Sequence, residues 1–157
     1  DVGVEIMDIY PNILAVGEST LTKRQKELGV VVVDMGSSSS NVAVYEEGAL
    51  IYAGVLPIGG EHVTSDLALG LRISIDTAEQ LKLNYGDLTI RDTKGKEVDE
   101  EIDLSKISNT EVIGVSRNFM NEIIRARYEE IFHHIVMELK KVGRDGMLPE
   151  GIVITGG

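Results

Sequence analysis

The spacing of apolar residues changes several times along the chain, and each change predicts a new element. In residues 1–28 the apolar positions are Ile6, Ile9, Ile13, Leu14, Val16 and Leu21, with Pro11 suited to a first helical turn. A short helix is expected near 12–21, ended by the charged run Thr22-Lys23-Arg24-Gln25-Lys26-Glu27. Residues 30–33 are then four valines in a row between Gly29 and Gly36, the pattern of a strand buried on both faces. Residues 41–45 alternate, 50–58 is again strand-like, and the joints Gly36 to Ser40 and Glu46-Glu47-Gly48 are short and turn-rich. The three segments predict a meander of two hairpins.

After Gly59-Gly60 the period becomes helical, with helices expected over 62–71 and 76–85. Ser74-x-x-Thr77 and Asp76 are start signals for the second, Asp76 being read as its N-cap, and Gly86 closes it. Between 87 and 118, Leu88-Thr89-Ile90, Glu97 to Asp103 and Val112-Ile113-Gly114-Val115 suggest small antiparallel strands around turns such as Lys94-Gly95-Lys96. Ile124, Tyr128, Ile131, Ile135, Leu139 and Val142 form one long helical stripe, which Gly143 and Gly146 end. Ile152 to Ile154 reads as a last buried strand. The fold class is therefore α/β, or α+β mixed. A core subdomain is expected over 1–60 plus 145–157, with a smaller α/β subdomain over 61–144 inserted in it.

Composition narrows the function. The 157 residues are 43% hydrophobic and 26% charged, which suits a folded domain. The formal net charge of −11 disfavours a nucleic-acid partner or an anionic lipid surface. The lack of Cys excludes disulfides, thiolate metal sites and thiol nucleophiles. No apolar run is long enough to span a bilayer and no leader stands at the start, so the cytoplasm is the expected location. The chain starts at Asp1 and stops just after an apolar run, where a polar tail is usual, so a piece of a longer protein is expected.

The most informative chemistry lies at Asp34-Met35-Gly36-Ser37-Ser38-Ser39-Ser40-Asn41-Val42-Ala43-Val44-Tyr45. An Asp ends a buried strand, a Gly permits a tight turn, and hydroxyl residues lead into the next strand. Such a turn can point N–H groups and hydroxyls at phosphate oxygens, while Asp34 can hold Mg²⁺ through water. A polar hairpin turn with an Asp capping its own loop has the same residues, and spacing alone leaves both readings open.

That segment resembles the second phosphate motif of the actin–Hsp70–sugar-kinase superfamily, commonly Asp-Ile-Gly-Gly-Gly-Thr-Thr-Asp-Ile-Ala-Val. The resemblance continues through Leu56-Pro57-Ile58-Gly59-Gly60-Glu61-His62-Val63-Thr64-Ser65-Asp66-Leu67-Ala68 and Thr77-Ala78-Glu79-Gln80-Leu81-Lys82-Leu83-Asn84-Tyr85-Gly86. It closes on Gly151-Ile152-Val153-Ile154-Thr155-Gly156-Gly157. Together these resemble the bacterial cell-division actin homologues of the FtsA family over roughly residues 10–157, with no clear counterpart for 87–118. Ser37 and Ser38 stand where that family pattern has glycines, Ser39 and Ser40 where it has threonines, and Asn41 where Asp is commoner.

The resemblance implies one half of an actin-like, ribonuclease H-like ATPase fold, with nucleotide in the cleft between this half and another. It implies ATP and Mg as cofactors of the full-length parent, with Asp34, Gly36, Ser37, Ser38 and Ser39 at the phosphates and Asp34 toward the metal. Glu79 would accept ribose hydroxyls with Lys82 nearby, and Gly156 and Gly157 would lie against the base. On the residues alone, Glu79 and Lys82 are an ordinary i, i+3 pair on a solvated helix. No catalytic residue is expected, and whether ATP is hydrolysed is left open.

For partners, the resemblance implies the FtsZ C-terminal tail peptide, self-association into filaments, and membrane contact only through a segment absent from this chain. The role implied is a polymerising adaptor that links FtsZ to the inner face of the cytoplasmic membrane. Arg125, Arg127 and Tyr128, with Arg117 just before them, are the densest basic cluster and the candidate partner site; the Arg127-Tyr128 pair resembles an Arg-Tyr pair of that family, whose inserted subdomain receives the tail. Same-helix pairing with Glu122, Glu129 and Glu130 is the plainer reading. A pilus adaptor resembling PilM and an actin-fold sugar kinase are the alternatives. His133 and His134 are neighbours on a helix and point about 100° apart, so they are read as structural or surface residues. His62 has no ligand-spaced partner, the Asp99-Glu100-Glu101 run is a solvated edge, and the serines lack a nucleophile elbow.

Overall fold

Two strand-rich and helix-rich regions alternate along the chain in the order the apolar periods predict. The computed structural model describes residues 3–88, 100–106 and 114–157. Its elements are α1 (Asn12–Thr20), α2 (Lys23–Leu28), β1 (Val30–Met35), β2 (Ser40–Glu46), β3 (Ala49–Leu56), α3 (Gly60–Leu71), α4 (Ile75–Tyr85), β4 (Glu101–Asp103), β5 (Gly114–Ser116), α5 (Arg117–Lys141) and β6 (Ile152–Gly156). A 3-10 turn, Leu104–Lys106, follows β4. By contact density the chain divides into two units, Asp1–Pro57 with Ile135–Gly157, and Ile58–His134, so the second seam falls within α5.

The first unit is built on a four-stranded sheet of order β3-β2-β1-β6. The meander β1-β2-β3 is antiparallel, and β6 returns parallel to β1. Val30, Val31, Val32 and Val33 are each at most 2% exposed, as an unbroken β-branched run in a central strand requires. Glu47 and Gly48 both have positive φ (53° and 75°), giving the two-residue turn whose twist suits a hairpin. Ile13 and Leu21 pack against Val30, Val32, Ala43 and Tyr45, so α1 and the residue after it cover one face of the sheet. On the opposite face Tyr52, directly across from Val44, donates a hydrogen bond to Glu138 of α5.

Three expectations are corrected here. The charged run after α1 does not merely end that helix; it forms α2. Thr22 Oγ1 accepts the Gln25 N–H while Gln25 Oε1 accepts the Thr22 N–H, and Gly29 closes the helix at φ 106°. Lys26 is buried along its stem, with its ammonium 2.8 Å from Glu18 and 5.3 Å from the centre of the Tyr45 ring. Second, β6 is not buried throughout: Ile152 and Ile154 are 43% and 50% exposed, because β6 is an edge of the sheet among the described residues. Third, α4 begins at Ile75 and its cap is Ser74, whose Oγ accepts the Thr77 N–H, so Asp76 is a first-turn residue.

The second unit gathers α3, α4, β4, β5 and the first part of α5 around Val63, Leu67, Ala78, Leu81, Leu104, Met120 and Ile124. β4 and β5 pair antiparallel and contribute Ile102 and Val115 to that core. Of the strands expected over 87–118, Thr89-Ile90, the Lys94-Gly95-Lys96 turn and Val112-Ile113 lie outside the described residues. The α5 stripe is as expected from the period. Ile124, Ile131, Ile135 and Leu139 are buried and Tyr128 is half-buried, while Val142 lies just beyond the helix.

Candidate functional site

In the first unit Asp34, the serine turn and Gly156 come together at the carboxyl ends of β1 and β6, the end of parallel strands where α/β sheets bind ligands. Asp34 shares a face with Val32 and Val30 and is half-buried. The register sets Asn41 of β2 on one side of it and Thr155 of β6 on the other. Asn12, the first residue of α1, reaches Asp34 Oδ2 with its side-chain amide at 3.4 Å. The carboxylate therefore sits in a polar row on a sheet that is otherwise apolar at its centre. Asn12 gave no signal in the sequence, because only the packing of α1 on β1 brings it there.

The turn itself is tight. The Gly36 N–H donates to the Ser39 carbonyl at 2.9 Å, and a Cβ on Gly36 would meet that same oxygen at 3.0 Å. Ser37 and Ser38 stand exposed at its tip, Ser39 is half-buried, and Ser40 is buried as the first residue of β2. Three of the four serines thus line the turn, and the fourth belongs to the sheet. Beside it, Gly157 N–H donates to the Met35 carbonyl at 3.1 Å. Gly156 has φ 102°, and a Cβ there would lie 2.2 Å from the Met35 oxygen, so only glycine fits.

The donor set at this end suits a phosphate: hydroxyls and N–H groups around a turn, next to one carboxylate. No cluster of three or more His, Cys, Asp or Glu able to hold a metal occurs among the described residues. A cation at Asp34 would thus keep most of its water, as Mg²⁺ does.

In the second unit Glu79 and Lys82, one turn apart on α4, form an ion pair of 2.7 Å. Thr64 of α3, buried to 4% exposure, joins them: its hydroxyl donates to Glu79 Oε2 and accepts from Lys82 Nζ at 2.8 Å. Lys82 Nζ also donates to the Gly60 carbonyl at 3.2 Å. The hydrogen bond from Lys82, then that from Thr64, holds the Glu79 carboxyl below its ordinary range, against a smaller opposing effect of burial. Spacing alone found the Glu79–Lys82 pair; Thr64 was missed, because its link to α4 is a tertiary contact.

The basic cluster on α5 separates into different roles. Arg127 is bidentate to Asp66 of α3, Nε to Oδ2 at 2.6 Å and Nη2 to Oδ1 at 2.9 Å, while Nη1 reaches Glu130 at 2.6 Å. Its guanidinium is accordingly held charged, chiefly by the bond to Asp66. Arg117 pairs with Glu100 at 2.6 Å. Arg125 is exposed and without an ion-pair partner among the described residues, and Tyr128 packs half-buried against the core. His133 and His134 are exposed, edge to face at 6.3 Å, and His62 Nδ1 accepts the Gly59 N–H at the start of α3.

A meander extended by a parallel strand, with an Asp-ended serine turn and a helical unit that precedes that strand in the chain, defines part of an actin fold. The solved structure of MreB5 of Spiroplasma citri, bound to ADP, superposes with a TM-score of 0.66 at 19% identity, covering 92% of this chain and 46% of that one. The family model for cell division protein FtsA matches residues 31–150. FtsA of Pseudomonas aeruginosa is 36% identical over 155 residues, 99% of this chain and 36% of that protein. FtsA of Bacillus subtilis is also 36% identical over 155 residues, covering 99% and 34%. The chain belongs to the FtsA family of cell-division proteins and spans about a third of the length of the curated relatives it matches.

Proposed function

We propose that this chain is part of an ATP-binding, polymerising cell-division adaptor that links FtsZ to the cytoplasmic membrane. The observation that carries the proposal is the FtsA family match over residues 31–150, which spans the Asp34 turn, the Glu79–Lys82 pair and the α5 cluster. It favours this reading over the pilus adaptor and the sugar kinase. The nucleotide part is supported by the bound ADP of the MreB5 neighbour and by the donor set of the turn. Ser37, Ser38 and Ser39 would offer N–H and hydroxyl donors to phosphate, and Asp34 would orient the water shell of Mg²⁺. The metal would supply charge neutralisation at the phosphates. Gly156 and Gly157 would lie beside the base, and Glu79, kept ionised by Lys82 and Thr64, would accept ribose hydroxyls.

For the partner, Arg125 is the free cation of the α5 cluster among the described residues, so it is assigned the carboxylates of the FtsZ tail, with Tyr128 beside it. Arg127 is already committed to Asp66 and Glu130 and would contribute mainly by shaping that surface. Membrane contact is proposed to lie outside these 157 residues. Fluorescence anisotropy of a labelled FtsZ tail peptide with the full-length protein tests the adaptor reading. Modest affinity that falls with added salt and falls again with Arg125→Glu is expected. No binding by the wild type at low salt overturns the reading.

A further inference from the structure

The polar network between α3 and α4 has a stoichiometry that limits what each member can do. An ammonium has three protons, and Lys82 Nζ has three acceptors: the Gly60 carbonyl at 3.2 Å, Thr64 Oγ1 at 2.8 Å and Glu79 Oε2 at 2.7 Å. Lys82 is thus fully engaged inside the protein and has no donor left for a ligand. Thr64 has one hydroxyl proton and two acceptors in reach, its own helix carbonyl of Gly60 at 3.3 Å and the nearer Glu79 Oε2. The carboxylate is charged, closer and takes that proton. Glu79 Oε2 therefore receives two charge-assisted bonds, and its Oε1 has no partner among the described residues.

We infer that Thr64 is a positioning residue, whose buried hydroxyl fixes the Glu79 carboxylate so that Oε1 alone faces the nucleoside, with Lys82 as an internal strut. This rests on the reading of Glu79 as the ribose-facing group. Among the described residues only Thr64 contacts both charged partners from a different helix, so it sets their height over α4 as well as their rotamers. Without that hydroxyl, Lys82 keeps Glu79 charged but leaves the carboxylate free to rotate about its side chain. The loss is of orientation and would appear in ribose recognition before it appears in phosphate affinity.

The test compares ATP with 2′,3′-dideoxy-ATP in competition binding to the full-length protein. The wild type should prefer ATP, and Thr64→Ala should reduce that preference roughly tenfold, as the loss of a charge-assisted bond would. Thr64→Ser, which differs from the alanine variant only by the hydroxyl, should restore it. Thr64→Val, closest to threonine in volume, should behave as alanine does. Should either variant melt early, the serine–alanine comparison is made at a temperature where circular dichroism shows both folded. Glu79→Ala separates the two claims. Preference lost in Glu79→Ala but kept in Thr64→Ala overturns the positioning role and leaves the ribose reading standing. Preference unchanged in Glu79→Ala overturns the ribose reading itself.

Discussion

Gly156 and Arg127 show what a single residue can and cannot reveal before the chain is folded. A Thr-Gly-Gly after an apolar run signals a turn, yet the reason for the first glycine is steric: its φ is 102° and the Met35 oxygen occupies the place of a Cβ. Gly156→Ala should therefore cost about 1–3 kcal/mol from backbone strain alone, visible as a lower thermal midpoint. For Arg127, helical spacing permitted the Glu130 partner, but Asp66 lies 61 residues away and only tertiary packing reveals it. Arg127→Glu should destabilise the protein by about 1.5–3 kcal/mol, the scale of hydrogen bonds to charged groups. Arg125→Glu, on an exposed side chain, should leave the midpoint within a degree or two. Equal midpoints for the two reversals would show that the Asp66 clamp adds nothing in solution. Residue types alone name Asp34 and the serines, whereas Asn12 and Thr64 need the packing of helix on strand and helix on helix.

Elements were legible where one local signal dominated. Four consecutive valines admit a doubly buried strand and little else, and the long apolar stripe of α5 outweighs its charged neighbours. Two competing signals misled at α4, where Ser74 and Asp76 both suit an N-cap and the serine prevails. Ser74→Ala should thus cost about 1 kcal/mol, while Asp76→Ala should cost a few tenths, by chemical denaturation. The reverse order would return the cap to Asp76. The exposed faces of β6 were illegible because burial depends on what lies beside the strand, not on its own composition. The α3–α4 tie also predicts a pH effect. Glu79 has a folded pKa below its ordinary value, so its contribution is complete above the unfolded glutamate range and is lost as pH falls through the folded value. Being 40% exposed, it should give a small effect. Removing the Thr64 hydroxyl should shrink that acid-side dependence in a denaturation series.

At the scale of the whole molecule, this chain carries one wall of the proposed nucleotide site and about a third of its relatives' length. Part of the contacts with all of the ordering cost should give very weak Mg-ATP binding by the 157 residues alone. The sheet edges β3 and β6 also expose Leu50, Ile51, Val55, Ile152 and Ile154. Unpaired edges with apolar side chains invite pairing, so sedimentation of the isolated chain should show self-association that grows with concentration. A monomer throughout would count against this. The central claim, that the Asp34 turn binds Mg-nucleotide, is tested most directly by calorimetry of Mg-ATP with the full-length protein and its Asp34→Ala variant. The account predicts binding by the wild type and a loss of roughly tenfold or more in the variant, the scale of a charge-assisted contact. Identical affinities would contradict it.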